Sequence, residues 1–414
     1  MRLPGVPFVL VVILLDVIGF GLIIPVLPAL VAEFAADRAT VAYWYGVLVA
    51  AYGAMQFLAA PLLGALSDRF GRRPVLLAAT AGLALDFLLL ALAPSLWMML
   101  VARVIGGLTG ASIAVANAYI ADVTAPAERA RAFGWIGAMF GIGFIIGPAA
   151  GGLLGELGVR VPFYVAAALA AVNLLYGVLV LPESLPRERR VRFALARANP
   201  FAALAGLGKM GAIGPMLAAF ALTNLGQFIL HATWVIHTET RFGWTPRDNG
   251  LALLVVGITA VFAQVVLLRR LLGRFGEAQV ALAGLASGVL AFTALGLATS
   301  GWMLYVIIIA NALSFAVEPA IQAIVSRSVD AREQGVTMGA MSSLASLMQV
   351  AAPLVGTALY AQVAHLPPSD TRLGATFFLA ALLECAALLI AWRLFRRAAP
   401  AADRTPATRH RARD

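Results

Sequence analysis

Apolar residues run through this chain in twelve stretches, each long enough to cross a bilayer, and no other feature restricts the fold as strongly. A helix rises about 1.5 Å per residue, so roughly 20 apolar residues span the hydrocarbon core. The stretches lie near 6–32, 44–66, 75–93, 97–120, 133–156 and 161–181, then 211–236, 249–272, 278–298, 302–325, 336–361 and 371–394. Composition agrees: 62% of the residues are hydrophobic and 12% charged, whereas soluble domains carry roughly 25% charge. Apolar side chains must therefore face lipid. The first stretch is too long for a signal-peptide core and holds Asp16, Pro25 and Pro28, so it reads as a span.

The net charge of +10 belongs to the loops rather than to a nucleic-acid surface. With both termini placed in the cytoplasm, 24 of the 30 Lys and Arg residues fall on the cytoplasmic side and five on the other, with Arg103 inside a span. Such asymmetry is the positive-inside signal, and a wrong span count would scramble it. The polar stretch 182–209, with Pro182, Pro186, Pro200 and an Arg-rich run, divides the chain into six spans and six. The tail from about Arg396 reads as disordered, basic and lipid-touching. The single cysteine, Cys385, excludes an internal disulfide and a thiol metal cluster. The four histidines are too scattered for a metal site, and neither a cofactor nor an enzyme's nucleophile–base pair is visible.

Charges kept inside the bilayer are costly and mark function. Asp16 is near the middle of the first span and Asp86 in the middle of the third. Arg103 lies early in the fourth, with Asp86 or Asp16 as its partner. Gln56 adds an amide to the second span. Between spans two and three, Gly64, Asp68, Arg69, Gly71, Arg72 and Arg73 form a tight loop. An acid in such a basic cluster can hold helices together in one state and release them in another. Span five carries Gly143, Gly147, Pro148 and Gly151 among other glycines, which permits close helix packing beside a kink.

Three of these segments resemble motifs of the major facilitator superfamily: Gly64–Val75, Ala102–Ala111 with its buried arginine, and Gly134–Gly155, which looks like the exporter motif. Leu14–Pro28, Ser67–Leu77, the run from Leu85 and Arg241–Trp244 narrow the resemblance to bacterial tetracycline/proton antiporters. It implies an all-α integral membrane fold of twelve transmembrane helices in two six-helix bundles. The expected divisions are 1–181, a linker at 182–209, 210–395, and the tail at 396–414. It also implies proton-coupled export of a small organic compound by alternating access. The partners expected are that compound, as a metal chelate in the tetracycline case, protons and the lipid bilayer. The chain is expected to act as a monomer in the inner membrane. Lack of a Gly-Lys-Ser/Thr phosphate loop argues against ATP as the energy source.

The C-terminal half departs from the antiporter pattern. Gln264 keeps its place in span eight, but Ala260 stands where the family has a histidine, and Gly288 where span nine has an aspartate. Glu318 in span ten, before Pro319, is the residue expected to supply a protonatable site in that half. Glu384 in span twelve reads as structural. A metabolite or nutrient transporter and a non-transporting membrane sensor are the competing readings; the exporter-like motif speaks against the first and the intramembrane charges against the second.

Overall fold

The computed structural model describes residues 6–110, 112–125, 128–191, 213–330 and 334–402, and the apolar stretches within them are helical. The first span is broken: α1 (Val6–Ile23) gives way at Ile24–Val26 to α2 (Leu27–Ala32). Pro25 lacks the N–H that a continuing helix needs, while Pro28 sits harmlessly in the first turn of α2. Next comes α3 (Arg38–Phe70), capped by Asp37, whose carboxylate accepts from Thr40 N at 2.9 Å. These bonds hold Asp37 below its ordinary carboxylate range. Helix α3 stops at Gly71, where φ of +105° favours glycine. The first half is completed by α4 (Arg72–Leu92), α5 (Leu96–Thr109) with α6 (Ser112–Val123) as one span, α7 (Arg129–Gly155) and α8 (Val161–Val180).

The second half begins with α9 (Gly214–Phe242) and α10 (Pro246–Phe262), the latter opened by a reciprocal Thr245–Asp248 capping box. A π-helical turn, Ala263–Leu267, leads into α11 (Leu268–Leu297). Eleven helical stretches among the described residues are long and apolar enough to cross a membrane, and one of them, Pro246–Leu297, has 52 residues. Gly276, at φ +76° and ψ 167°, breaks that stretch and divides it into spans eight and nine, which gives twelve. Span ten comprises α12 (Gly301–Ala310), a 3-10 segment at Asn311–Ala316 and α13 (Val317–Arg327). Spans eleven and twelve are α14 (Gln334–Val363) and α15 (Ala375–Ala402). Helix α15 extends past Arg396, so 396–402 continues a helix where the sequence suggested disorder. Residues 403–414 and most of the 182–209 linker lie outside the described residues.

Large apolar side chains cover the outside. Leu179 and Leu290 are each 73% exposed, and Leu382, Val172 and Ile309 are also open. Contiguous apolar surface on this scale suits lipid rather than water. The halves meet where α3 packs on α14 and α7 on α10. At the end bearing the 33–37, 156–160 and 243–245 loops, one apolar cluster draws on both halves, with Tyr45, Leu48 and Phe163 joined by Ile236, Tyr360 and Ala364. Arg247 and Glu156 approach to 3.8 Å across the same seam. At the opposite end the apolar clusters belong each to one half. So do the ion pairs there among the described residues. Among the described residues the molecule is sealed at the first end and unsealed at the second.

Candidate functional site in the cavity between the halves

A cavity of about 580 Å³ lies between the halves. Asp16, Gln56 and Arg103 line it from the first half, and Gln227, His231 and Asn311 from the second. Its other walls are mainly apolar, which is the usual make-up of a small-molecule site.

Asp16 is carried by α1 and held by two neighbouring spans. Asn173 Nδ2 on α8 donates to Oδ1 at 2.9 Å, and Ser112 Oγ on α6 donates to Oδ2 at 3.4 Å. Asn173 also donates to Val12 O, so one amide fixes both the carboxylate and its backbone. No cation among the described residues pairs with Asp16, which leaves it able to attract one from the cavity. Arg103 is committed elsewhere: it pairs with Asp86 on α4, and both side chains are almost wholly buried. The choice between Asp86 and Asp16 is thereby decided for Asp86. The guanidinium also lies over the Tyr52 ring, 5.0 Å from its centroid. Asp86 Oδ1 and Arg103 Nε lack hydrogen-bond partners among the described residues, so the pair is less than fully satisfied. Gln56 Nε2 donates to Gly110 O at 3.0 Å, between the two helices that make up span four.

The loop after α3 ties the first half together. Arg72 is buried and meets Asp68 at 2.6 Å, Asp122 at 3.0 Å and Ser67 Oγ at 2.5 Å. Its backbone N–H donates to Glu183 Oε1, and Val191 N donates to Asp68 O. Arg73 donates to Val178 O on α8, whereas Arg69 is exposed beside Phe70. In this unsealed state Asp68 thus binds within its own half. Gly71 needs its positive φ, but a side chain at Gly64 would meet nothing within 4 Å.

Span five makes the close approach that its glycines suggested. A Cβ at Gly147 would lie 2.8 Å from Gly21 Cα, and one at Gly143 2.7 Å from Val17 Cγ1. Gly151 packs on the Leu22 backbone, and Pro148 sits inside α7. These contacts join α7 to α1, the helix that carries Asp16.

Two expectations for the second half need correction. Gln264 is exposed in the π-helical turn and is not in the cavity wall, because the extra residue in that turn rotates the helix surface. Glu318 is also exposed, one turn past the cavity-lining Ser314 and Phe315, and accepts from Gln322 Nε2 at 3.1 Å. Glu384, by contrast, is completely buried. The sequence reading missed Asn173, although it is the one amide in an otherwise apolar run, and it missed Asp122 and Glu183 as partners of Arg72. It also missed His231 and Asn311, since polar residues in apolar helices do not show which face they occupy.

The sequence pattern of the Major Facilitator Superfamily matches residues 9–353 and 216–413. The class C tetracycline resistance protein of Escherichia coli is 43% identical, over 84% of this chain and 87% of its own length. The class G protein of Vibrio anguillarum is 39% identical, over 86% and 90%. Among solved structures, the human organic anion transporter MFSD10 superposes with a TM-score of 0.68 at 25% identity, covering 94% of this chain and 98% of that one. With twelve spans, a cavity between the halves and these relatives, the chain belongs to the major facilitator superfamily of membrane transporters, in the company of the bacterial tetracycline resistance proteins.

Proposed function

We propose that the chain is an inner-membrane antiporter that exports a small organic compound in exchange for protons. Asp16 carries this reading, as an intramembrane carboxylate that no cation among the described residues pairs with, set in the wall of a cavity that is sealed at one end. A cationic substrate, or a tetracycline held as its magnesium chelate, pairs with the Asp16 carboxylate; a proton taken up there discharges it. Differential binding of the two charge states then biases the alternation between open ends. The Asp86–Arg103 pair fixes α4 against α5 and keeps Arg103 at the cavity edge as a positioning group. The Arg-rich, unsealed end is assigned to the cytoplasm, with both termini there, so the cavity takes its cargo from inside the cell. The protein acts as a monomer surrounded by lipid, with division into bundles 1–181 and 210–395.

Expression in a host stripped of its own efflux pumps tests this. Tetracycline and a panel of unrelated drugs are compared for the protein and for Asp16→Asn. Raised resistance to at least one compound, lost in D16N at equal membrane abundance, is expected. Resistance equal in both would refute the role of Asp16, and resistance to none would favour a metabolite as cargo.

A further inference from the structure

Among the described residues, Glu384 is the one acid of the second half that is closed off from both water and charge. It sits in α15 between α9 and α11, with no exposed surface, and neither carboxyl oxygen has a well-formed hydrogen bond among the described residues. On the α11 side it leans into the gap left by Gly288: a Cβ there would lie 2.8 Å from Oε1 and 3.1 Å from Cγ. On the α9 side stands Thr223, whose buried hydroxyl is close to the carboxyl without a bond of good geometry between them. No lysine, arginine, aspartate, glutamate or histidine lies on α9 between Gly214 and Leu230, on α11 between Ala278 and Leu297, or anywhere on α14. The ionisable residues of these helices are His231, His237, Glu239 and Arg241 farther along α9, Arg269, Arg270, Arg274 and Glu277 at the start of α11, and Tyr360 late in α14. Cys385 is next to it on α15 itself.

A carboxylate placed there with nothing to pair with would be strongly disfavoured by lost hydration. A purely packing role would be met better by leucine. Polar groups nevertheless lead from the site to the cavity. Thr223 precedes the cavity-lining Gln227 by one helical turn on α9. Beside Gly288, Ser287 Oγ donates to Asn311 Oδ1 at 2.9 Å, and Asn311 lines the cavity.

We propose that Glu384 is a proton-carrying carboxyl of the second half, loaded and unloaded through the polar groups of α9 and α11 that reach the cavity. In the state described here the carboxyl holds its proton. When the halves change their arrangement and water enters along Thr223 or Ser287, the O–H bond breaks, the proton leaves to cavity water and the carboxylate remains. Reloading reverses this. Asp16 then governs cargo in the first half while Glu384 adds proton control in the second. The proposal rests on the antiport reading above for its transport assay, but not for its spectroscopic one.

The test uses the full chain in liposomes. In the spectroscopic arm, infrared difference spectra are recorded across pH without any cargo. A protonated-carboxyl C=O band present in the wild type and absent from Glu384→Gln is expected; identical spectra for the two would overturn the proposal. In the transport arm, tetracycline with magnesium is the probe. Glu384→Gln should keep tetracycline–tetracycline exchange yet lose uphill accumulation and the accompanying proton flux. Gly288→Asp combined with Glu384→Ala, which empties the space beside position 288, should restore part of that flux. Accumulation by E384Q with the wild-type pH dependence would refute it. If E384Q is not recovered folded, Glu384→Asp replaces it: a shifted pH profile supports the proposal and an unshifted one counts against it. Absence of tetracycline transport by the wild type would sink the antiport reading alone, leaving the infrared result to decide Glu384.

Discussion

The sealed end depends on backbone contacts that one methyl group should disrupt. Gly250 on α10 faces α7 from the other half; a Cβ added there would lie 2.6 Å from the Pro148 carbonyl oxygen and 3.1 Å from Gly152 Cα. Both are backbone atoms of a helix, so relief requires the two halves to part. Overpacking of this kind costs about 1–3 kcal/mol. The penalty exists only while α7 and α10 touch, so it falls on the state described here and not on its alternate. With about 1.4 kcal/mol for each factor of ten, the equilibrium should move toward the outward-open state by about 5- to 150-fold. The assay places a cysteine at the cavity-lining Val49 in a Cys385→Ser background and measures its reaction with a membrane-impermeant maleimide added outside intact cells. Gly250→Ala should speed labelling by that order. Gly134→Ala, where a Cβ meets nothing within 4 Å, should leave it unchanged. Equal labelling of G250A and the unaltered glycine would refute the reasoning, as would an equal effect from G134A.

Other outcomes follow from the ion pairs. Arg103→Ala leaves Asp86 buried and unpaired and should cost about 3–5 kcal/mol in mixed-micelle equilibrium unfolding; the double change Asp86→Leu with Arg103→Met should recover much of it. Arg72→Ala strips Asp68, Asp122 and Ser67 of a common donor and should cost about 1–3 kcal/mol, whereas the exposed Arg69→Ala should stay within about 0.5 kcal/mol in the same measurement. Asp370, in the loop before α15, is held at about 2 by Arg372, first through its side chain and then its backbone N–H. Because its folded value is depressed from 3.8, its stabilising effect is complete above about pH 4 and fades as pH falls through 2. The melting temperatures of wild type and Asp370→Asn should therefore differ at pH 5 and converge at pH 2.

Much of this architecture was legible because lipid punishes exposed backbone and charge so severely that apolar run length and arginine placement report it directly. The twelve spans and the helix end at Gly71 have local causes, whereas the first span, read as continuous over 6–32, is broken at Ile24–Val26. The boundary between spans eight and nine was legible as well: the apolar stretches stop near 272 and resume near 278, and Gly276, with its positive φ, breaks the helix in that gap. The site was legible in part. Asp16 and the Asp86–Arg103 pair could be named because an intramembrane charge needs a reason, but the choice of partner needed the packing of α4 against α5. Glu318 and Glu384 look alike in sequence, each an acid in an apolar run. What separates them is the face each occupies: Glu318 lies on an open side of α13, while Glu384 points between α9 and α11. A span that is apolar on all sides carries no periodicity that reveals this. The same blindness hid His231 and Asn311, and the turn that swings Gln264 away.

The account stands or falls on coupling between cargo and protons at Asp16. Everted membrane vesicles carrying the protein, energised so that their interior is acid, give the most direct measure, with tetracycline and magnesium supplied outside. Uptake against its gradient is predicted, abolished when nigericin collapses the pH difference and absent from Asp16→Asn vesicles of equal protein content. Uptake that survives the collapse, or that D16N supports as well as the wild type, would contradict it.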